Sequence, residues 1–237
     1  MEDDLSSMRV GTDAILLGAW ADLTGTKKIL EIGTGCGVIA LMLAQRSDAE
    51  ITAIDIHKDS ASQAEINFRS SQWNDRLKSI HISCQEFVDT SAEHFDFVIS
   101  NPPFFSNSLK SPVSRKNLAR HSDTLTLDDL FISGKVLFTL NNEQISEDSI
   151  QNSGTICLIL PHQERSFAIK TAASHGFNVK RELSVKPKPS LSANRVLLEF
   201  TPGTFMVQDL QTLTIRNEDS TFTEEYRELT RDFYLNF

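Results

Sequence analysis

The chain is poor in cysteine, with three among 237 residues, and in tyrosine and tryptophan, with two of each. Cys36, Cys84 and Cys157 lie far apart and form no Cys-x-x-Cys pair, which argues against a zinc ribbon or a disulfide framework and for a reducing compartment. No metal site is expected. Ten glycines and seven prolines are too few for a collagen-like or low-complexity chain. Long hydrophobic runs are missing as well: Ala14 to Leu17 and Ile156 to Leu160 fall far short of the ~20 residues that a bilayer demands. Met1-Glu2-Asp3-Asp4 is acidic and no apolar stretch follows it, so no secretory signal is expected and the cytoplasm is the expected compartment. Basic charge is in deficit, 23 Lys and Arg against 32 Asp and Glu. The resulting net charge of −9 argues against a nonspecific nucleic-acid binder and confines any nucleic-acid site to a local patch.

What is present is 40% apolar residues arranged in a repeated rhythm of short β-rich run, polar or glycine turn, and helical pattern. That rhythm implies βαβ units around a mostly parallel sheet with helices on both faces. Strands are expected at Lys27 to Ile32, Glu50 to Asp55, Lys78 to Ser83, Phe95 to Ser100 and Gly154 to Leu160. Asn178 to Lys186 and Asn194 to Thr201 alternate like an antiparallel pair, for a twisted sheet of about seven strands with an antiparallel edge strand. Helices are expected at Val38 to Gln45, Lys58 to Ser71, Leu125 to Leu140 and Ser166 to His175, the third opened by Thr126-Leu127-Asp128-Asp129. Ahead of the sheet, Thr12-Asp13 caps a short helix, Ala14 to Ala21. After it come Thr212 to Arg216 as an extra strand and Thr223 to Tyr234 as a helix. Asn141 to Ser153 is polar and reads as a surface loop. With no repeat or linker, residues 1–237 are expected to form a single domain with an N-terminal capping helix and a C-terminal strand and helix extension; a monomer is the expectation.

Glu31-Ile32-Gly33-Thr34-Gly35-Cys36-Gly37 sits at the C-terminal tip of the first strand, where open α/β sheets bind ligands. A dinucleotide fingerprint would require glycine at position 38, which is Val38, and the acid two residues before the first glycine resembles instead the pattern of S-adenosylmethionine enzymes. On that resemblance Gly33 and Gly35 let the backbone approach the methionine moiety and Glu31 acts on or near its ammonium. Asp55 ends the second strand, where a carboxylate can accept hydrogen bonds from ribose hydroxyls; nicotinamide enzymes share this feature. Gln85, or its neighbour Cys84, stands where such enzymes often carry an acid that reads the adenine. The plainer reading is a glycine turn and a strand-end acid that serve only the fold.

The fourth strand ends in Asn101-Pro102-Pro103-Phe104, which resembles the Asn/Asp-Pro-Pro-aromatic motif of amino-group methyltransferases. A flat conjugated amine becomes nucleophilic when acceptors at its hydrogens favour a pyramidal nitrogen. Asn101 Oδ1 and the Pro102 carbonyl suit that role, because prolines lack an N–H and hold the preceding residue extended. Phe104 supplies a stacking face worth roughly 1–3 kcal/mol to an unstacked base. Transfer from a sulfonium depends on positioning more than on a strong base or a metal. An ordinary strand-ending loop is the alternative.

Met8 to Trp20, Glu31 to Gly37, Asn101 to Phe105, Asn194 to Phe200 and Tyr226 to Leu235 together resemble the bacterial tRNA1(Val) (adenine-37-N6)-methyltransferase family. The resemblance implies a class I, Rossmann-like methyltransferase whose cofactor is S-adenosylmethionine and whose partner is the anticodon loop of a tRNA. It carries cofactor contacts onto Glu31, Gly33 and Gly35, and amine contacts onto Asn101, Pro102 and Phe104, while Thr12 and Asp13 match a segment that covers the cofactor. Family members usually carry a further strand ahead of this segment, so a truncated or a misassigned start is the expectation here. Lys110, Arg115, Lys116 and Arg120 follow the motif without an intervening acid and suit phosphates, as do Lys180, Arg181, Lys186, Lys188 and Arg195; a solvated face is the alternative for both groups. Rival activities are glutamine N5-methylation of the release-factor type and methylation of DNA or ribosomal RNA. A third rival is a cofactor-binding RNA chaperone without turnover.

Overall fold

Side chains alternate across a strand, and where both faces of a sheet are covered the strands read as nearly unbroken apolar runs. Such runs build the centre of this chain. The computed structural model describes residues 3, 10–103, 125–139, 154–203 and 209–234. In chain order the elements are α1 (Thr12–Trp20), β1 (Lys28–Ile32), α2 (Val38–Arg46), β2 (Glu50–Asp55), α3 (Lys58–Arg69), β3 (Leu77–His81), α4 (Cys84–Thr90) and β4 (Phe97–Ser100). Then follow α5 (Leu127–Thr139), β5 (Thr155–Pro161), α6 (Arg165–Ser174), β6 (Phe177–Lys186), β7 (Arg195–Pro202), β8 (Asp209–Thr214) and α7 (Glu224–Thr230).

The strands form one sheet in the order β3-β2-β1-β4-β5-β7-β6-β8. Ile29, Phe97, Ile99, Cys157 and Ile159 pack with α1, α2, α3 and Tyr226 of α7 on one face. Leu30, Ile32, Val98, Ile156 and Leu158 pack with α4, α5 and α6 on the other. The chain winds outward from β1 to β3, then returns to place β4 on the opposite side of β1, so the winding reverses between β1 and β4. Ligands bind at such a reversal, beyond the C-terminal ends of the strands.

The α/β class is as the sequence implies, but the sheet has eight strands rather than seven. β8 pairs parallel to β6 along the outer edge, so β7, antiparallel to both β5 and β6, is an interior strand and not an edge. Cys84 to Phe87, expected as polar groups at the end of the third strand, open α4, with Ser83 Oγ accepting from Glu86 N–H at 3.2 Å. Ser83 followed three residues later by Glu86 is the capping pattern that would have revealed it. α1 begins at Thr12 with Gly11 at the cap position and no side-chain cap, so Thr12 and Asp13 do not cap it. Asp13 instead accepts from Arg195 Nε at 2.8 Å, a bond across 182 residues that no local pattern can reveal. Before α5 the expected cap is present: Asp129 N–H donates to Thr126 Oγ1 at 3.1 Å and Thr126 N–H donates back to Asp129 Oδ2 at 2.8 Å. The C-terminal helix is shorter than expected and gives way to a 3₁₀ turn at Arg231–Phe233. The Asn141 to Ser153 segment lies outside the described residues.

Gly37 closes the N-terminus of α2 with φ +85°, and a Cβ there would stand 2.6 Å from Cε1 of the buried Phe68. The left-handed backbone costs a non-glycine residue about 1–2 kcal/mol and overpacking costs about 1–3 kcal/mol. Gly37→Ala is therefore expected to lower the unfolding free energy by about 2–5 kcal/mol, read from the urea midpoint at unchanged slope. An unaltered midpoint would contradict this packing.

Candidate active site

The turn after β1 is held from several sides. Gly33 and Thr34 donate their N–H groups to the Ile54 carbonyl at 2.8 and 3.1 Å, and Gly37 N–H donates to the Thr34 carbonyl at 2.9 Å. Asn67 of α3 donates to the Cys36 carbonyl at 2.8 Å. Asp55 stands at the end of β2 and accepts Gly35 N–H on Oδ2 at 2.9 Å and His57 N–H on Oδ1 at 2.8 Å. Gly33 has φ +78°, and a Cβ built on it would meet nothing within 4 Å, so the turn presents bare backbone to open space.

β4 delivers the second wall. Its last residue, Ser100, is fully buried and donates its hydroxyl to the Ile32 carbonyl at 2.7 Å, locking the ends of β1 and β4 together. Asn101 therefore emerges beside the glycine turn. A cavity of about 470 Å³ opens there, of the size that small ligands occupy. Gly33 to Cys36 line it from β1, Asn101 to Pro103 from β4, and Gly11 to Asp13 from the start of α1. Val38 and Ile39 of α2 complete it.

Of the residues singled out from sequence, Thr12, Asp13, Gly33, Gly35, Asn101 and Pro102 thus share one cavity. Asp55 is buried, braces the turn through these two bonds and is not among the residues that line the cavity. Gln85 sits half-buried in the first turn of α4 and does not line the cavity. Its alternative, Cys84, is buried with Sγ 3.0 Å from Ser133 Oγ of α5, and burial pushes its thiol up to about 11. Phe104, Lys110, Arg115, Lys116 and Arg120 lie outside the described residues. Of the later cations two turn inward, Arg181 meeting Glu199 at 3.2 Å and Arg195 meeting Asp13 at 2.8 Å, while Lys180 meets Asp22 at 3.8 Å at the surface and Lys186 and Lys188 make exposed hydrogen bonds. Ser100, which sequence reasoning missed, carries no signal beyond its place before Asn101.

Glu31 lies on the α2 face of β1 and is fully buried. Its Oε2 accepts from Thr34 Oγ1 at 2.7 Å and from Ala40 N–H at 3.2 Å, so it reaches the turn and α2 rather than the cavity surface. Its Oε1 is buried without a hydrogen-bond partner. Desolvation pushes its carboxyl from an ordinary value near 4.5 up to about 8; the bonds from Thr34 and Ala40 oppose the rise and nearby Asp55 adds to it. Between those two values the folded chain holds a proton that the unfolded chain has lost, so stability must fall as pH rises. Glu31→Gln, which cannot titrate, is expected to flatten urea midpoints measured from pH ~4.5 to ~8. A variant as pH-dependent as the parent would refute the assignment.

Comparison with known proteins agrees with this arrangement. Residues 8–158 match the methyltransferase small domain. A tRNA1(Val) (adenine(37)-N6)-methyltransferase of Parabacteroides distasonis is 38% identical over 98% of this chain and 93% of its own. One of the same name from Trichodesmium erythraeum is 37% identical over 100% of this chain and 95% of its own. The crystal structure of a predicted O-methyltransferase from Agrobacterium tumefaciens superposes with a TM-score of 0.67 at 20% identity, covering 93% of this chain and 96% of that one, a likeness of fold. Among the described residues no helix is long and apolar enough to cross a membrane, and no group of side chains is placed to hold a metal. The chain belongs to the methyltransferase small-domain family and, within it, to the tRNA1(Val) (adenine(37)-N6)-methyltransferases.

Proposed function

We propose that this protein methylates the exocyclic N6 of an adenosine in the anticodon loop of a valine tRNA, with S-adenosylmethionine as donor, acting in the cytoplasm as a single methyltransferase domain. The observation that carries this reading is that Asn101-Pro102 and the Gly33–Gly35 turn wall the same cavity. One side can hold a methyl donor and the other a flat amine. The residues fit the donor: bare backbone at Gly33 faces open space, and each oxygen of Asp55 accepts one backbone N–H and keeps a lone pair for a ribose hydroxyl.

When bound, S-adenosylmethionine supplies a methyl group on a positively charged sulfur. Gly33 and Gly35 would hold its methionine end and Asp55 its ribose, while Gln85, in the first turn of α4 and off the cavity lining, is not assigned its adenine. Glu31 stiffens the turn that would hold the donor, through its bond from Thr34. Thr12 and Asp13 close over the donor, and the bond from Arg195 keeps them in place. Asn101 Oδ1 and the Pro102 carbonyl accept the two amine hydrogens, and Phe104 stacks on the base. An anticodon-loop base is already partly unstacked, so bringing it into the cavity costs less than from a duplex. Lys110, Arg115, Lys116 and Arg120 bind the phosphates around it.

The purified protein, incubated with S-adenosylmethionine and tRNA lacking the modification, should yield N6-methyladenosine by nucleoside mass spectrometry; transfer to a release-factor glutamine instead would overturn the RNA assignment. Asn101→Ala should reduce kcat at least ~100-fold with donor affinity retained, the scale of a lost positioned polar group. Arg115→Ala with Lys116→Ala should weaken tRNA binding and reduce the slope of log K against log salt by about one unit per lost phosphate contact. A slope equal to the parent's makes that segment a solvated face.

A further inference from the structure

The C-terminal extension has no part in the proposed reaction, yet its described residues reach the same edge of the sheet as the site. β6 and β8 run parallel to β1 and β4, so their C-terminal ends emerge at the same edge of the sheet as Gly33 and Asn101. There a second cavity, of about 390 Å³, opens between the start of α1 and the extension. Pro187 and Arg216 line it just beyond β6 and β8, and the rings of Phe222, Tyr226 and Tyr234 wall it. Thr12 lines both this cavity and the catalytic one, so the two adjoin.

The walls form a stack. The Arg216 guanidinium lies 4.0 Å from the centroid of Phe222, and Phe222 lies 5.1 Å from Tyr226 at an interplanar angle of 18°. Arg216 Nη1 donates to the Ser220 carbonyl at 2.6 Å, which fixes its plane. The side chain is exposed overall, rests on Phe222 and joins no ion pair among the described residues. The flanking Lys186 and Lys188 donate to the Pro189 and Glu218 carbonyls, not to carboxylates. The nearby acids Glu218 and Asp219 accept from Ser190 and Thr221 N–H and offset part of the charge of Lys186 and Lys188, but make no ion pair with Arg216. A fixed guanidinium plane over aromatic rings, with cations alongside, is chemistry suited to an unstacked base and its phosphate.

We infer that this second cavity takes a base of the same tRNA neighbouring the methylated adenosine, stacked on Arg216. The inference rests on the tRNA reading above. The two are separable in one set of measurements on the full chain with unmodified tRNA. Arg216→Ala should raise the KM for tRNA about tenfold, the scale of one lost base stack, with kcat and donor affinity unchanged. Arg216→Lys keeps the charge but loses the plane, and should resemble the alanine variant. With 2-aminopurine placed in turn at each anticodon-loop position other than the methylated one, the parent should quench one neighbouring position and Arg216→Ala should not.

Methylation with KM and quenching indifferent to Arg216 overturns the second cavity and leaves the reaction intact. Quenching that depends on Arg216 without methylation supports the cavity and removes the reaction. Restoration by lysine reduces the contact to charge and overturns the stack. A dimer of the protein alone that Arg216→Ala dissolves, seen by sedimentation, assigns the cavity to a second copy and overturns the base.

Discussion

The hydrogen bond from the buried Ser100 hydroxyl to the Ile32 carbonyl, across 68 residues, closes the parallel pairing of β1 with β4 at the end where the chain leaves the sheet. A buried bond of this kind contributes only about 1 kcal/mol to stability. Its consequence for geometry is larger. Adjacent strands lie about 4.8 Å apart, so whatever follows Ile32 and whatever follows Ser100 must emerge side by side. The turn from Gly33 to Gly37 and the Asn101-Pro102-Pro103 segment therefore face one cavity, and neither would be useful alone. Two adjacent prolines then limit the conformations of the second wall.

The same economy of position explains Glu31. Alternation along β1 places it on the α2 face, between the apolar Leu30 and Ile32 that face α4 and α5. Burying a carboxyl group there disfavours its charged form, and the bonds from Thr34 and Ala40 offset part of that cost. What the fold obtains is a turn tied simultaneously to β1, to β2 through Ile54 and Asp55, and to α2. A turn held this way changes little when a ligand arrives, which is how preorganised sites limit the cost of binding.

Much of this was legible from residue order. The β1 strand, its glycine turn and α2, the acid closing β2, and Asn-Pro-Pro after β4 are local patterns set by covalent spacing, and they lie where the sequence implied. α4 is signalled by Ser83 and Glu86, but the polar residues that follow Ser83 suit a ligand-facing strand end equally well, so the local pattern supports two readings. The cations of β6 and β7 were counted as one surface. In the folded chain Arg181 turns to Glu199 and packs 4.5 Å from the Trp20 ring, and Arg195 turns to Asp13, so those charges serve the fold.

By itself the sequence determined the alternating α/β architecture and the glycine turn and Asn-Pro-Pro segment proposed to hold a methyl donor and a flat amine, because both follow from residues close together along the chain. Tertiary structure alone decided that Glu31 points to the turn, that β7 is interior and β8 is the edge, and that the C-terminal rings stand beside the catalytic cavity. The reason is the same in each case. These features depend on pairings between distant segments, such as Asp13 with Arg195, 182 residues apart, and the energy of such a pairing leaves no periodicity in the sequence.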